Sequence, residues 1–244
     1  MSELHSRAIA RVSEYLTGFL ADPKGFRGQQ LRGGGPVADF ENALAARCGF
    51  PFCLATSSAT SALLITALAA ALPNRKIIMP PNGWGGTYGP FEAADAVLVK
   101  AAADGDGNIC PKSILSLAIN NPAAVVATDW NGVRHDTKEV RAVCDSIGAL
   151  YIEDTAWLPG FTGPLHDYAL ADIQILSFGP GKPMSLGEGG AILLRTYDLY
   201  ERAVALSQHP ERALREQIAQ YPAHPFLNGR IHPLAAIIGS ALLT

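Results

Sequence analysis

The chain has 244 residues, 48% of them hydrophobic and 17% charged, with a formal net charge of −3. That length and balance fit one large α/β domain, or one domain with a small appendage, and leave little composition for disordered bulk. No basic cluster, no apolar run of bilayer length and no signal-peptide pattern is visible, so neither nucleic-acid binding nor membrane insertion is expected.

Cys48, Cys53, Cys110 and Cys144 show no Cys-x-x-Cys spacing. They predict buried, reduced thiols in a cytoplasmic protein. Residues 4–21 read as a surface helix, with Leu4, Ile9, Val12, Leu16 and Leu20 at helical spacing. Residues 22–36 are polar and glycine-rich, and Gly33-Gly34-Gly35 argues for a flexible or closely approached arm. Residues 1–36 are therefore expected to form an N-terminal helix and arm, and 37–244 one large domain. The segment "PVADFENALAARCG" reads as a helix with Pro36 near its start and Gly49 as its stop.

From Phe52 onward, short apolar runs alternate with helical segments. "FCLAT", "KIIMP", "AVLVK", "AAVVAT", "ALYIED", "DIQILSF" and "GGAILL" read as strands. "ATSALLITALAAAL", "KSILSLAIN" and "TKEVRAVCDSIG" read as the helices between them. After Arg195 the pattern predicts a helix, then an irregular stretch from His209 to Arg230, then a short apolar helix "HPLAAIIGSALL". This alternation implies an α/β fold, a mostly parallel sheet covered by helices on both faces. In such sheets ligands sit beyond the carboxyl ends of the strands, so the residues following each apolar run carry the functional information.

Ser57, Ser58, Ala59 and Thr60 follow the first run and open a helix, which suits either a phosphate or an ordinary N-cap. Trp84 follows the second in a glycine-flanked loop, as a core plug or a flat surface for an aromatic ligand. Asp154 ends a buried run, where it needs a cation or hydrogen-bond donors. Ser177 precedes Lys182 by five residues, and Lys182, one of six lysines, lies in a loop of glycines and prolines. A partly buried lysine loses its proton readily and becomes a nucleophile toward an aldehyde. In one order, the chain offers a phosphate cradle, a flat aromatic, a carboxylate and a Ser…Lys pair. Those are the contacts that pyridoxal 5'-phosphate (PLP) requires.

That order resembles the DegT/StrS family of PLP-dependent sugar aminotransferases. "GGGPVADFENALAARCG" is similar to the family's entry segment, "SSATSAL" to its Ser-Gly-Thr-x-Ala-Leu phosphate loop and "PPNGWGGT" to its Pro-x-x-Thr-Trp-x-Ala-Thr loop. "YIEDTAW" resembles Ile-Glu-Asp-Ala-Ala-Gln, and "SFGPGKPMSLGEGGAIL" resembles Ser-Phe-x-x-x-Lys-x-Leu-x-x-Gly-Glu-Gly-Gly, the most specific of the matches. "FLNGRIHPLAAIIGSALL" is similar to the Asn-x-Arg segment and the helix after it. The resemblance implies the large domain of the type I (aspartate-aminotransferase) fold. It implies Lys182 as the Schiff-base lysine and Asp154 as the partner of the pyridinium nitrogen, these two being the catalytic pair. Trp84 would stack on the ring, and Ser58, Ala59, Thr60 and Ser177 would hold the phosphate. Asn228 would reach the phosphate of a neighbouring subunit in a homodimer with shared active sites, and Asn228 and Arg230 show no evident use within their own chain. No metal is implied.

Three departures from the family pattern stand out. Ala59 replaces a glycine, a small change at a helical position. Trp157 stands where a glutamine or histidine usually lies near the cofactor's phenolic oxygen, and an indole donates but does not accept a hydrogen bond. The family normally continues beyond this point with a smaller C-terminal domain, expected to be absent here or supplied by a second chain. The resemblance implies transfer of an amino group from an amino acid, glutamate or glutamine, to a keto sugar, cyclitol or related polar ketone in biosynthesis. The alternatives are another PLP-dependent reaction on an amino acid (elimination, decarboxylation or carbon–carbon bond formation), or a subunit that completes another chain's active site.

Overall fold

The computed structural model describes residues 3–157, 170–219 and 227–243, without the side chains of 3–5 and 26–28. Every apolar run read as a strand is one: β1 (Phe52–Thr56), β2 (Lys76–Met79), β3 (Val97–Lys100), β4 (Ala124–Thr128), β5 (Leu150–Asp154), β6 (Ile173–Ser177) and β7 (Gly190–Leu194). They form one sheet in the order β1-β7-β6-β5-β4-β2-β3. The pairs β3–β2, β2–β4, β4–β5 and β5–β6 are parallel, while β7 runs antiparallel to both β6 and β1. The expected mostly parallel sheet is present.

Alternate residues of each strand enter different cores, which is the two-residue period of a sheet buried on both faces. Leu54, Val126, Ile152, Ile175 and Ile192 pack on one face with α4 (Ala59–Ala69), α5 (Gly85–Ala93) and α8 (Tyr197–Ser207). On the other face, Cys53, Ala55, Leu176 and Leu193 pack with α3 (Pro36–Cys48) and α10 (Pro233–Leu243). Val125, Ala127 and Tyr151 pack there with α6 (Pro111–Leu117) and α7 (Thr137–Ile147). Cys48, Cys53 and Cys144 are buried free thiols, and burial pushes Cys48 and Cys144 up to about 12. Among the described residues, no helix is long and apolar enough to cross a membrane.

Three expectations change. The glycine-rich arm is mostly helical, as α2 (Pro23–Leu31) follows α1 (Glu3–Ala21) almost directly. Asp22 accepts a hydrogen bond from the Gly25 amide at 3.0 Å, and Pro23 supplies a preset first helical residue. Helix gives way at Arg32 and the triple glycine: Gly33 has φ +62°, and a Cβ on it would come within 2.6 Å of the Arg212 side chain. α1 is the surface helix expected, with Ile9, Leu16 and Leu20 exposed; among its described side chains Tyr15 is buried. The loop after Trp84 contains α5, despite two glycines at its start and Pro90 inside it, because Thr87 and Phe91 are buried against the sheet. The stretch after His209 begins with a short helix, α9 (Pro210–Arg215), and residues 220–226 of it lie outside the described residues.

The antiparallel direction of β7 matters for the site. It pairs Gly190, at the start of β7, with Ser177 at the end of β6 and Thr56 at the end of β1. The loop that carries Lys182 therefore returns to the same sheet edge at which β1, β4, β5 and β6 all end.

Candidate active site

A cavity of about 710 Å³ lies at that edge. Its walls include Ser58, Ala59, Thr60, Trp84, Asp154, Trp157, Ser177 and Lys182, so eight of the nine expected site residues come together.

Ser58 is the N-cap of α4, and its Oγ accepts from the Ser61 amide at 3.0 Å. The capping and cradle readings are thus compatible: the cap serves one first-turn amide and leaves those of Ala59 and Thr60, which lack intrahelical acceptors, at the cavity wall. Ala59 is the first helical residue, a position that accepts alanine readily. Gly190 brings the helix this close, because a Cβ there would lie 2.5 Å from the Ala59 nitrogen and the Ser58 carbonyl carbon.

Trp84 is 76% exposed, so it is no core plug. It caps α5, and the same helix places Thr87, whose Oγ1 donates to Asp154 Oδ2 at 2.8 Å. The Ala156 amide meets Asp154 Oδ1 at 3.2 Å. Asp154 is buried, and burial raises its pKa above the usual carboxylate range. The Thr87 and Ala156 bonds and the Lys182 charge oppose that shift without cancelling it.

Lys182 is held from both sides. Its amide donates to the Gly179 carbonyl at 3.2 Å, and the buried Phe178, Met184 and Leu186 anchor the loop in the core. Burial lowers the Lys182 pKa from the ordinary lysine value, and Asp154 pulls the other way. The amine is therefore neutral over a wider pH range than that of a solvated lysine. Its Nζ lies 4.2 Å from the centroid of the Trp157 ring.

Asn228 is apart from these residues. It borders a separate cavity of about 450 Å³ with Tyr15, Leu16, Phe19 and Arg230. The segment does serve its own chain, contrary to expectation. The Ser57 amide donates to the Gly229 carbonyl at 2.8 Å, Arg230 bridges to Thr56, and Arg230 takes part in further interactions.

Sequence reading missed several cavity residues, namely Thr87, Thr128, Asp129, Trp130 and Glu188. Thr87 could have been found as the hydroxyl three residues beyond Trp84; Glu188 lies within the quoted glycine motif. Asp129 belongs to a buried group that no local pattern announces. Arg134 reaches Asp129 at 2.7 Å and Glu153 at 2.7 Å, His135 Nδ1 meets Asp129 at 2.7 Å, and His135 Nε2 meets the Tyr151 hydroxyl at 2.6 Å. Asp129 is held below the usual carboxylate range despite its burial, by the His135 hydrogen bond and the Arg134 charge. Although Asp129, His135 and Glu153 lie close enough to ligate an ion, Arg134 already pairs both carboxylates.

The cavity's chemistry fits pyridoxal phosphate. It combines a buried carboxylate with no cation paired to it, an amine with lowered basicity, a helix N-terminus for an anion and an exposed indole. Comparison with known proteins gives the same direction. The chain is 26% identical over 191 residues to a UDP-4-amino-4,6-dideoxy-N-acetyl-beta-L-altrosamine transaminase of Campylobacter jejuni, covering 76% of this chain and 50% of that protein. It is 28% identical over 167 residues to the erythromycin biosynthesis sensory transduction protein EryC1 of Saccharopolyspora erythraea, covering 67% and 46%. The chain spans about half the length of the curated relatives it matches.

Among solved structures, it superposes on DesI, determined with its TDP-sugar product, with TM-score 0.74 and 27% identity over 96% of this chain and 57% of that one. NtdA of Bacillus subtilis, with bound cofactor PMP, shares the fold with TM-score 0.79 at 22% identity, over 97% and 52%. The architecture is the type I fold of PLP-dependent aminotransferases. The model of the DegT/DnrJ/EryC1/StrS aminotransferase family matches residues 24–244, and the chain belongs to that family.

Proposed function

We propose that this chain carries the cofactor site of a PLP-dependent aminotransferase that moves an amino group from an amino acid to a keto sugar, cyclitol or related polar ketone. The observation that carries this reading is the meeting of Lys182, Asp154, Ser177, Trp84 and the α4 N-terminus on one cavity. The transaminase name of the Campylobacter relative and the TDP-sugar product held by DesI support the sugar class.

When bound, pyridoxal phosphate supplies an electrophilic aldehyde and a ring that accepts electrons from the bond broken beside the amino group. The chain's own residues do the rest. The Ala59 and Thr60 amides, with the Ser58 and Ser177 hydroxyls, would hold the phosphate at the positive end of α4. The exposed face of Trp84 would support the ring, and Asp154 would accept the ring N–H and so gain the charge partner that its buried carboxylate lacks. Lys182 would hold the cofactor as an amine nucleophile and, as a free amine, would accept and return the substrate proton. Its lowered pKa suits both tasks, because it must be neutral to attack or accept and must charge afterwards.

The assembly is a cytoplasmic homodimer, in which Asn228 reaches the partner's phosphate. Its place on a surface cavity away from its own Lys182 supports that reading.

The test is a half-reaction. Protein loaded with pyridoxal phosphate is mixed with glutamate or glutamine, and conversion of the bound cofactor to its amine form is followed by absorbance. Conversion that a keto sugar reverses is expected. Loaded protein that no amino acid converts, alone or with a chain supplying the rest of the relatives' length, overturns the aminotransferase reading.

A further inference from the structure

Trp157 remains without a role in this scheme. It departs from the family pattern at its position, and its ring is 53% exposed, so packing does not account for it. The backbone that leads to it is nevertheless well fixed. The Thr155 amide and hydroxyl both donate to the Ile175 carbonyl, at 3.0 and 2.8 Å, and the next amide bonds Asp154. This double anchoring directs the first residue beyond it over the Lys182 loop. The Lys182 Nζ sits 4.2 Å from the ring centroid, inside the range at which an ammonium is attracted to an aromatic face.

The other charges around Lys182 do not compete at contact distance. Asp154 from β5, Asp129 from the end of β4 and Glu188 from the loop before β7 line the same cavity. Asp154 acts on Lys182 through space, while Asp129 is occupied by Arg134 and His135. Among the described residues, no carboxylate forms an ion pair with Lys182. The indole face is its contacting partner.

We infer that Trp157 is a positioning residue: its face is the resting place of the Lys182 ammonium whenever the lysine is not bonded to the cofactor. The inference rests on the proposed function, since only a lysine that alternates between a covalent and a proton-carrying state needs such a place. An indole face attracts the charged amine and offers little to the neutral one, so Trp157 favours the form that has just taken up a proton. It also keeps that form inside the cavity that both residues line.

The test uses the full chain freed of bound cofactor. Trace acetic anhydride is applied across a pH range, and acetylation of Lys182 relative to exposed Lys112 is read by peptide mass spectrometry. If the face holds the ammonium, Trp157→Leu lowers the Lys182 titration midpoint by about half a unit, a roughly threefold rise in its neutral fraction. Trp157→Phe lowers it less. If Trp157 only covers the lysine, a smaller side chain admits water and the midpoint rises. An unchanged or raised midpoint in Trp157→Leu overturns the inference. Borohydride reduction of wild-type protein loaded with pyridoxal phosphate is run in parallel. Failure of Lys182 to retain the cofactor there refutes the functional reading, whatever the midpoints show.

Discussion

Replacing Asp154 by asparagine should stabilise the cofactor-free protein while removing its function. The carboxylate is buried, and its pKa is raised chiefly by burial. A carboxyl whose folded pKa exceeds its unfolded one contributes stability that is fully present below the unfolded pKa and is lost as pH rises through the folded value. Near neutrality the ionised group is therefore a liability to the fold. Asparagine has the same shape and keeps both neighbours. Its oxygen accepts from the Ala156 amide, and its NH₂ donates to the Thr87 hydroxyl, which rotates to accept. Relief of such a functional-site penalty is worth about 1–2 kcal/mol. In a chain of this size that is about 2–8 °C in Tm. Thermal unfolding of the cofactor-free Asp154→Asn variant should show this gain near neutral pH and lose it in acid, where wild-type Asp154 is protonated. A lower Tm at neutral pH, or an equal gain at both pH values, would refute the reasoning. The same variant should fail in the glutamate half-reaction, because an amide cannot hold the ring nitrogen's proton as a charge partner.

Other perturbations separate the parts of the site. Thr87→Val removes a hydrogen bond to a charged group, worth about 1.5–3 kcal/mol to the ionised form. The acid limb of cofactor binding, read by titration at several pH values, should move to higher pH; a stationary limb would remove Thr87 from the account. Gly190→Ala places a methyl against the Ser58–Ala59 backbone. It should cost about 1–3 kcal/mol in urea unfolding and weaken phosphate binding as α4 is displaced. Unchanged binding there would mean the helix start does not cradle the phosphate. Arg212→Met leaves Glu41 buried without its cation, where the two now meet at 2.8 Å. The loss should be about 3–5 kcal/mol, and adding Glu41→Leu should restore a large part of it. If the double variant is no more stable than the single one, the pair is not the strut it resembles.

What could be read from the sequence was what depends on local spacing. Apolar runs of strand length, Pro36 with Gly49 around α3, and the position of Asp154 at the end of its strand and of Lys182 in the loop beyond its own all follow from short-range rules. The failures were of two physical kinds. In α2, local chemistry was misweighed: the Asp22-Pro23 start is a helix signal, but the glycines after it were given more weight. In α5, tertiary burial of Thr87 and Phe91 overrides a sequence that is locally poor in helix formers. The Asp129–Arg134–His135–Glu153 group was invisible for a third reason. Asp129, Arg134 and His135 pair within the stretch that follows β4, but Glu153 joins them from β5, and only the strand order brings it there.

The central claim is that Lys182 is the residue that bonds the cofactor. Its most direct test is borohydride reduction of protein incubated with pyridoxal phosphate, followed by proteolysis and mass spectrometry of the peptides. The account predicts a reduced pyridoxyl group on Lys182, absent from the Lys182→Ala variant. A pyridoxyl group on another of the lysines, or equal fixation in Lys182→Ala, would contradict it.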